Sequence, residues 1–113
     1  MPPRINVGDI WQVSLDDTEG HEQRGERPAL VLAVHREANV VMVTPFTGNL
    51  EALRFPYSYE VKRSRNNGLS RDSAALIYQT KCLTSSRFIR KIGEMEPIDM
   101  GRVKSLLENY LSL

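Results

Sequence analysis

Six apolar residues in unbroken succession, Ala29-Leu30-Val31-Leu32-Ala33-Val34, follow directly on Arg27-Pro28 and a long polar stretch. A run of this length with a proline at its head predicts a strand that passes through the core, because the missing N–H of Pro28 is tolerated at a strand start. It is the central strand, and Arg27 stands at its mouth. A loop that ends by planting a cation on the first residues of a buried strand places a charge on a rigid element. On these residues alone, a solvated arginine closing a hairpin loop reads at least as well.

The neighbouring segments supply the sheet. Trp11, Val13 and Leu15 alternate with Gln12 and Ser14, which predicts a half-buried first strand over residues 8–15. Residues 16–26 hold five acids and two glycines and almost nothing apolar, and predict a long mobile loop. After a turn at 35–39, Val40-Val41-Met42-Val43 forms a third strand, with Thr47 at or just beyond its end. Residues 53–61 read as an edge strand bulged at Pro56, Asn67-Gly68 as a turn, and residues 73–78 as another buried strand with Gln79-Thr80-Lys81 at its end. A short helical turn at 85–88 precedes a last strand at 89–93. From Pro97 the period changes: Met100, Val103, Leu107, Tyr110 and Leu111 recur at helical spacing. The expected fold is mainly β with one helix (β+α), a strongly bent antiparallel sheet or small barrel with a C-terminal helix packed on it. With 113 residues there is room for one core, so residues 1–113 read as a single domain.

Several function classes are excluded. No stretch approaches the roughly 20 apolar residues of a membrane span, and the first residues lack the apolar run of a signal peptide, which predicts a cytoplasmic protein. The single cysteine, Cys82, has no partner for a disulfide or a metal site and is expected as a free buried thiol. A net charge of +1 hides a segregation. Residues 1–60 carry 5 Lys/Arg against 9 Asp/Glu, whereas residues 61–91 carry 8 basic side chains against the single acid Asp72. A local block of one sign is what a polyanion-binding face needs, and it is also how exposed strand edges are kept from pairing.

There is no phosphate-binding glycine loop, no zinc pattern and no Gly-x-Ser-x-Gly elbow, and His21 and His35 read as surface residues. Glu22 and Glu26 flank Arg24 and Arg27, an arrangement that surface ion pairing alone would explain. The remaining pattern is polar groups at strand ends: Arg27 before the second strand, Thr47 after the third, Ser73 before and Gln79 after a later one. If these ends converge, they make a shallow electropositive site suited to a phosphodiester.

The ordered set Gly8-Asp9-Ile10-Trp11, Gly20-x-Glu22-Gln23, Arg27-Pro28-Ala29-Leu30-Val31-Leu32, Thr44-Pro45-Phe46-Thr47, Gly68-Leu69-Ser70-Arg71-Asp72-Ser73, Gln79-Thr80-Lys81 and Ile92-Gly93 resembles the MazF/PemK toxins, the mRNA-cleaving halves of toxin–antitoxin pairs. The likeness covers nearly the whole chain. It implies an SH3-like, CcdB/PemK-like barrel, a homodimer, a cognate antitoxin, and metal-independent, cofactor-free cleavage of single-stranded RNA at a short sequence. Arg27 and Thr47 match the family's catalytic pair, and Glu22 matches an acid with a supporting role. His21 and residues 48–54 depart from the family pattern and bear on substrate sequence. With RNA as substrate, Arg63, Arg65, Arg71 and Lys81 form the expected track, joined by Ser73, Gln79 and Gln23.

The chemistry has its own logic. RNA carries its nucleophile, the 2′-OH, so a protein need only align it, accept its proton, stabilise the phosphorane and protonate the leaving 5′ oxygen. The products are a 2′,3′-cyclic phosphate and a 5′-hydroxyl. An arginine suits bidentate contact with the phosphorane and keeps its charge. Glu22 is the expected general base. Two other readings remain: a CcdB-like toxin that binds gyrase without catalysis, and a silent SH3-like binding module.

Overall fold

The computed structural model describes residues 4–15 and 25–113. They form seven strands and one helix: β1 (Asp9–Ser14), β2 (Glu26–His35), β3 (Val40–Thr47), β4 (Ser58–Val61), β5 (Ser73–Leu76), β6 (Lys81–Thr84), β7 (Phe88–Glu94) and α1 (Pro97–Tyr110). All pairings are antiparallel. β7, β1, β2, β3 and β6 follow one another across the main sheet. Its two outer strands, β6 and β7, are consecutive in the chain and joined only by the 3₁₀ turn Ser85–Arg87, so the connection draws the edges together and curls the sheet. The far end of β3 leaves this sheet: Phe46 and Thr47 pair with β5, which pairs with β4.

The first half of the apolar run of β2, residues 29–31, is buried on both faces because it separates two cores, while Ala33 in the second half is exposed. Ala29 and Val31 pack with Trp11, Val13, Leu15, Val41 and Val43 inside the curl, which Leu83 and Phe88 close from the outer strands. Leu30 faces the other way, onto Ile10, Phe46, Val61, Ala75, Ile77 and the helix residue Val103. Met100, Leu106 and Leu107 complete the helix contact, while Tyr110 and Leu111 lie exposed. Trp11, Val13 and Leu15 therefore share one face, as their alternation predicts.

One irregularity governs where β2 ends. Ala33 pairs with Met42 but Val31 with Val43, so Leu32 is an extra residue, a bulge. The register beyond it sets Leu30 against Thr44 and Ala29 against Pro45. Continued for two residues, it brings Arg27 opposite Thr47. Without the bulge Arg27 would stand opposite Gly48, and its side chain would change faces.

The structure corrects four expectations. Residues 50–54 form the 3₁₀ turn Leu50–Arg54 rather than the start of an edge strand, because the Asn49 side chain accepts the Glu51 N–H and caps Leu-Glu-Ala-Leu-Arg; β4 begins only at Ser58. The strand from Ser73 stops at Leu76, where the 3₁₀ turn Ile77–Gln79 takes over. Residues 81–84 are a strand, β6, held by pairing with β3. Cys82 is a free thiol but exposed: alternation along β6 turns Leu83 toward the core and Cys82 outward.

The long β4–β5 connection is held by one buried amide. Asn67 Oδ1 accepts the Ser64 and Leu69 N–H groups, both at 3.0 Å, and its Nδ2 donates to Lys62 O at 2.9 Å and Glu96 Oε1 at 3.3 Å. Every donor and acceptor of this side chain is satisfied, which a fully buried amide requires. Tyr59 fastens the helix start by donating to Asp99 Oδ1 at 2.6 Å; burial, and then this bond, raise the tyrosine pKa above its ordinary 10.0. Next to Asn67, Gly68 has a φ of +70°, and a Cβ there would lie 1.8 Å from Ile92 O. Gly8 also has a positive φ, +92°, but nothing lies within 4 Å of its missing Cβ. Gly8→Ala should therefore cost only backbone strain, about 1–2 kcal/mol. Gly68→Ala should cost about 3–5 kcal/mol, strain plus displacement of the Ile92 carbonyl, as measured by urea unfolding. Equal losses in the two variants would contradict this packing.

Candidate functional site

Three of the polar residues picked out at strand ends meet, with Arg71 of the expected RNA track, in one cavity of about 380 Å³. Arg27, Thr47, Arg71 and Ser73 line it, together with Pro28, Phe46, Gly48, Asn49 and Ser70. Arg27 is the second residue of β2 and pairs with Val13 of β1, so its backbone is fixed while its side chain stays exposed. Thr47 is the last residue of β3, paired with Ala74, and is only 8% exposed. Its Oγ1 accepts the Asn49 N–H at 3.2 Å, which leaves the hydroxyl proton to donate elsewhere. Ser73 opens β5, is buried, and donates to Arg71 O at 2.9 Å, bracing the residue that carries the second guanidinium.

Gly48 has a clear reason to be glycine. A Cβ there would lie 2.6 Å from Arg71 Cδ, so the absent side chain is the space through which Arg71 reaches the cavity. Asp72, the acid next in sequence, does not line the cavity. It accepts the Arg63 N–H at 2.8 Å and pairs with Lys62 Nζ at 3.7 Å, so its charge is turned toward the β4–β5 connection. The result is a polar recess with two guanidinium-bearing residues, a buried threonine hydroxyl and a buried serine. Chemically it can hold a tetrahedral oxyanion, and the two arginines can contact it bidentately.

The remaining expected site residues scatter. Gln79 closes the 3₁₀ turn after β5 and lines a second, larger cavity of about 580 Å³, which shares Thr47 and Asn49 with the first. Lys81 begins β6, opposite Val43. Arg63 and Arg65 are exposed on the β4–β5 connection and line neither cavity. Glu22 and Gln23 lie outside the described residues. Within the basic segment, Lys62 is paired with Glu60 and Lys91 with Asp9 and Glu94, the latter pair chiefly raising the Lys91 pKa through its hydrogen bond. These two contribute less to any polyanion face than their count suggests. Among the described residues no three His, Cys, Asp or Glu side chains are grouped so as to hold a metal ion, and no helix is long and apolar enough to cross a membrane.

Sequence reading placed Gly48 and Asn49 in a segment bearing on substrate sequence but gave neither its structural role, and it missed the aromatic lining of the second cavity. For Asn49 a signal existed: an Asn ahead of Leu-Glu-Ala-Leu-Arg is a cap before helix-forming residues. For Gly48 there was none, since its role depends on a residue more than twenty positions away.

The chain is similar to known proteins over almost its whole length. The family model described as PemK-like, MazF-like toxin of type II toxin-antitoxin system matches residues 6–111. Among curated relatives, the endoribonuclease MazF9 of Mycobacterium tuberculosis is 30% identical over 115 residues, covering 94% of this chain and 95% of that protein. The endoribonuclease EndoA of Bacillus subtilis is 28% identical, covering 96% of each. The crystal structure of MazF from Deinococcus radiodurans shares the fold, with a TM-score of 0.80 at 21% identity over 96% of this chain and 97% of that one. A mycobacterial endoribonuclease in complex with its cognate antitoxin superposes with a TM-score of 0.75 at 18% identity, covering 97% of each chain. With its curled sheet, its terminal helix and a match that runs from residue 6 to residue 111, this chain belongs to the PemK/MazF family of type II toxin–antitoxin toxins.

Proposed function

We propose that the protein is a sequence-specific endoribonuclease that cuts single-stranded RNA without a metal, through attack of the 2′-OH on the adjacent phosphate. The observation that carries this reading is the cavity that joins Arg27, Thr47, Arg71 and Ser73. Cleavage by the internal nucleophile needs no bound cofactor. It needs a preorganised set of donors around a phosphate whose charge grows toward the transition state, and a geometry that aligns the 2′ oxygen with the leaving 5′ oxygen.

In this mechanism Arg27 clamps the non-bridging oxygens of the phosphorane from a strand position that cannot drift. Thr47 donates its hydroxyl proton to the same oxygens, held in orientation by the Asn49 N–H. Arg71 is the second cation and positions the strand through its phosphate. Glu22 takes the 2′-OH proton, and the leaving 5′ oxygen is protonated to give a 5′-hydroxyl beside a 2′,3′-cyclic phosphate. Gln23, Arg63, Arg65, Ser73, Gln79 and Lys81 extend the contact surface for the strand. As a cytoplasmic toxin the protein works as a homodimer and is held in check by a cognate antitoxin; the last of these is supported by the mycobacterial endoribonuclease described in complex with its cognate antitoxin and by the MazE–MazF structure from Deinococcus radiodurans.

Incubation of a long synthetic RNA with the protein in EDTA tests the reading directly. Discrete fragments with 5′-hydroxyl ends are expected, and intact RNA would favour a CcdB-like, non-catalytic toxin. Arg27→Ala should keep the fold and abolish cleavage; full activity in that variant would remove Arg27 from the mechanism. Thr47→Val should lower kcat by on the order of 10²-fold, the usual loss for one transition-state donor, whereas Thr47→Ser should retain most activity. Gly48→Ala should act like Arg71→Ala, each reducing kcat/KM by about tenfold or more with unchanged unfolding midpoints, since the added methyl occupies the path of the arginine side chain. A normal rate in Gly48→Ala would show that Arg71 does not need that path.

A further inference from the structure

Residues 68–71 cross the outer face of the sheet as a strap. The strap begins at β7, where Gly68 lies so near the Ile92 carbonyl that a Cβ would be 1.8 Å from its oxygen. Leu69 then enters the core beside Ile10 of β1 and Leu30 of β2, and Ser70 and Arg71 arrive at the phosphate recess next to Gly48. This path covers the row Gly93, Ile10, Leu30, in which neighbours are paired across β7, β1 and β2. The next row on the same face is left open.

That row is Arg90, Gln12 and Pro28. Gln12 stands opposite Pro28 on one side and Arg90 on the other, and directly opposed residues of antiparallel strands share a face. Gln12 also lies two residues from Ile10, which fixes the face as the outer one. Pro28 lines the phosphate recess, so the row runs from the recess to Arg90 along the edge of the strap. With neighbouring strands about 4.8 Å apart, Arg90 is about 10 Å from Pro28 along the sheet, a span that a single-stranded backbone covers in one or two nucleotides. Arg90 is exposed and Gln12 half-buried. Lys91, opposite Trp11 and so on the other face, is held by Asp9 and Glu94, but among the described residues no carboxylate pairs with Arg90 and nothing bonds the Gln12 amide. The acid Glu26, opposite Ser14, lies one row farther from the strap and repels a polyanion that leaves the groove on that side.

We propose that this groove carries the RNA strand away from the cut, with Arg90 holding a phosphate beyond the one in the recess and the Gln12 amide donating to the same phosphate. The assignment rests on the nucleic-acid reading above. A guanidinium offers two parallel N–H donors to a phosphate, and an amide adds a further one without bringing a charge. Such contacts carry no base information, so Arg90 supplies affinity and register and leaves the choice of sequence to other residues. An acidic peptide would meet the same two side chains, but the row ends at a recess that holds a tetrahedral oxyanion between two arginines, which favours a phosphodiester strand.

The test is the binding of an uncleavable strand, a 2′-O-methyl RNA of mixed sequence, to the full-length protein, followed by fluorescence anisotropy over a range of salt concentrations. Arg90→Gln should weaken binding about fivefold or more at low salt and make the slope of log affinity against log salt shallower by about 0.7, the change for one phosphate contact on a single strand. Arg90→Lys should restore the slope. Lys104→Gln, which removes the same charge from the exposed surface of the helix, should change neither quantity. A dinucleotide, whose one phosphate is taken up by the recess, should bind wild type and Arg90→Gln alike, and the exposed position of Arg90 should leave the unfolding midpoint unchanged. A wild-type slope in Arg90→Gln, or an equal loss in Lys104→Gln, would overturn the proposal. Unaltered strand binding with weakened binding of polyglutamate would overturn it as well and give the groove to an acidic peptide. The nuclease reading is tested apart from this: an Arg90-dependent slope in a protein that releases no 5′-hydroxyl fragments from cleavable RNA would keep the groove and remove the nuclease. Cleavage by a protein whose Arg90→Gln variant has the wild-type slope would do the reverse.

Discussion

The antiparallel pairing of β2 with β3 is the interaction on which the rest depends. It runs between the two cores, with Ala29 and Val31 packed into one and Leu30 into the other, and it carries the bulge at Leu32. A bulge on a strand buried on both faces is a fixed register shift, because slipping it would push Leu30 and Val31 into the wrong cores. That shift fixes the register at Ala29–Pro45, next to Arg27 and Thr47, which line one recess. The site therefore inherits its precision from apolar packing, and neither residue needs a direct bond to the other to be held in place.

A second constraint operates where β3 leaves the curled sheet. Thr47 ends the strand, and the chain must then turn, cap itself and come back as β4. It does so with local hydrogen bonds from Thr47 through Asn49 to Phe55, and with Tyr57 in the left-handed region at φ 62°. The unusual backbone of Tyr57 has a purpose: its carbonyl accepts the N–H groups of both Ile77 and Tyr78, at 3.0 and 3.3 Å, and so positions the 3₁₀ turn that carries Tyr78 and Gln79 into the second cavity. Its ring packs edge-on against Tyr110 of the helix at 4.9 Å. Strain at one residue is offset by bonds to two others and by burial against the helix.

The basic segment shows why charge counts in a sequence overstate a binding face. Lys62 and Lys91 sit beside carboxylates supplied by β-strand neighbours and by the buried Asp9, which also accepts the Trp11 indole N–H at 3.1 Å. Among the described residues Arg71 is not paired in this way: Asp72 turns toward the β4–β5 connection and Gly48 leaves room for the arginine side chain. Local charge density is a sequence property. Which charges stay available to a partner depends on what folds against them.

Much was legible in the residues alone. The unbroken run of 29–34 marked the central strand, the alternation of Trp11, Val13 and Leu15 marked the face of the first, and the change of period after Pro97 marked the helix, because periodicity records which side chains must leave water. The same reasoning picked Arg27, Thr47 and Ser73 as strand-end groups and so found most of the recess. It erred where local signals compete: residues 53–55 alternate like a strand but are captured by the Asn49 cap, and residues 81–84 are too short and too polar to read as a strand without β3 beside them. The central strand, the inward face of the first strand, the terminal helix and the strand-end residues Arg27, Thr47 and Ser73 were determined by the sequence itself. The meeting of Arg27 with Thr47, the opening of a path for Arg71 by Gly48, and the aromatic lining that Phe55 and Tyr78 give the second cavity were decided by tertiary structure, because each depends on the register or close approach of segments whose spacing along the chain carries no record of it.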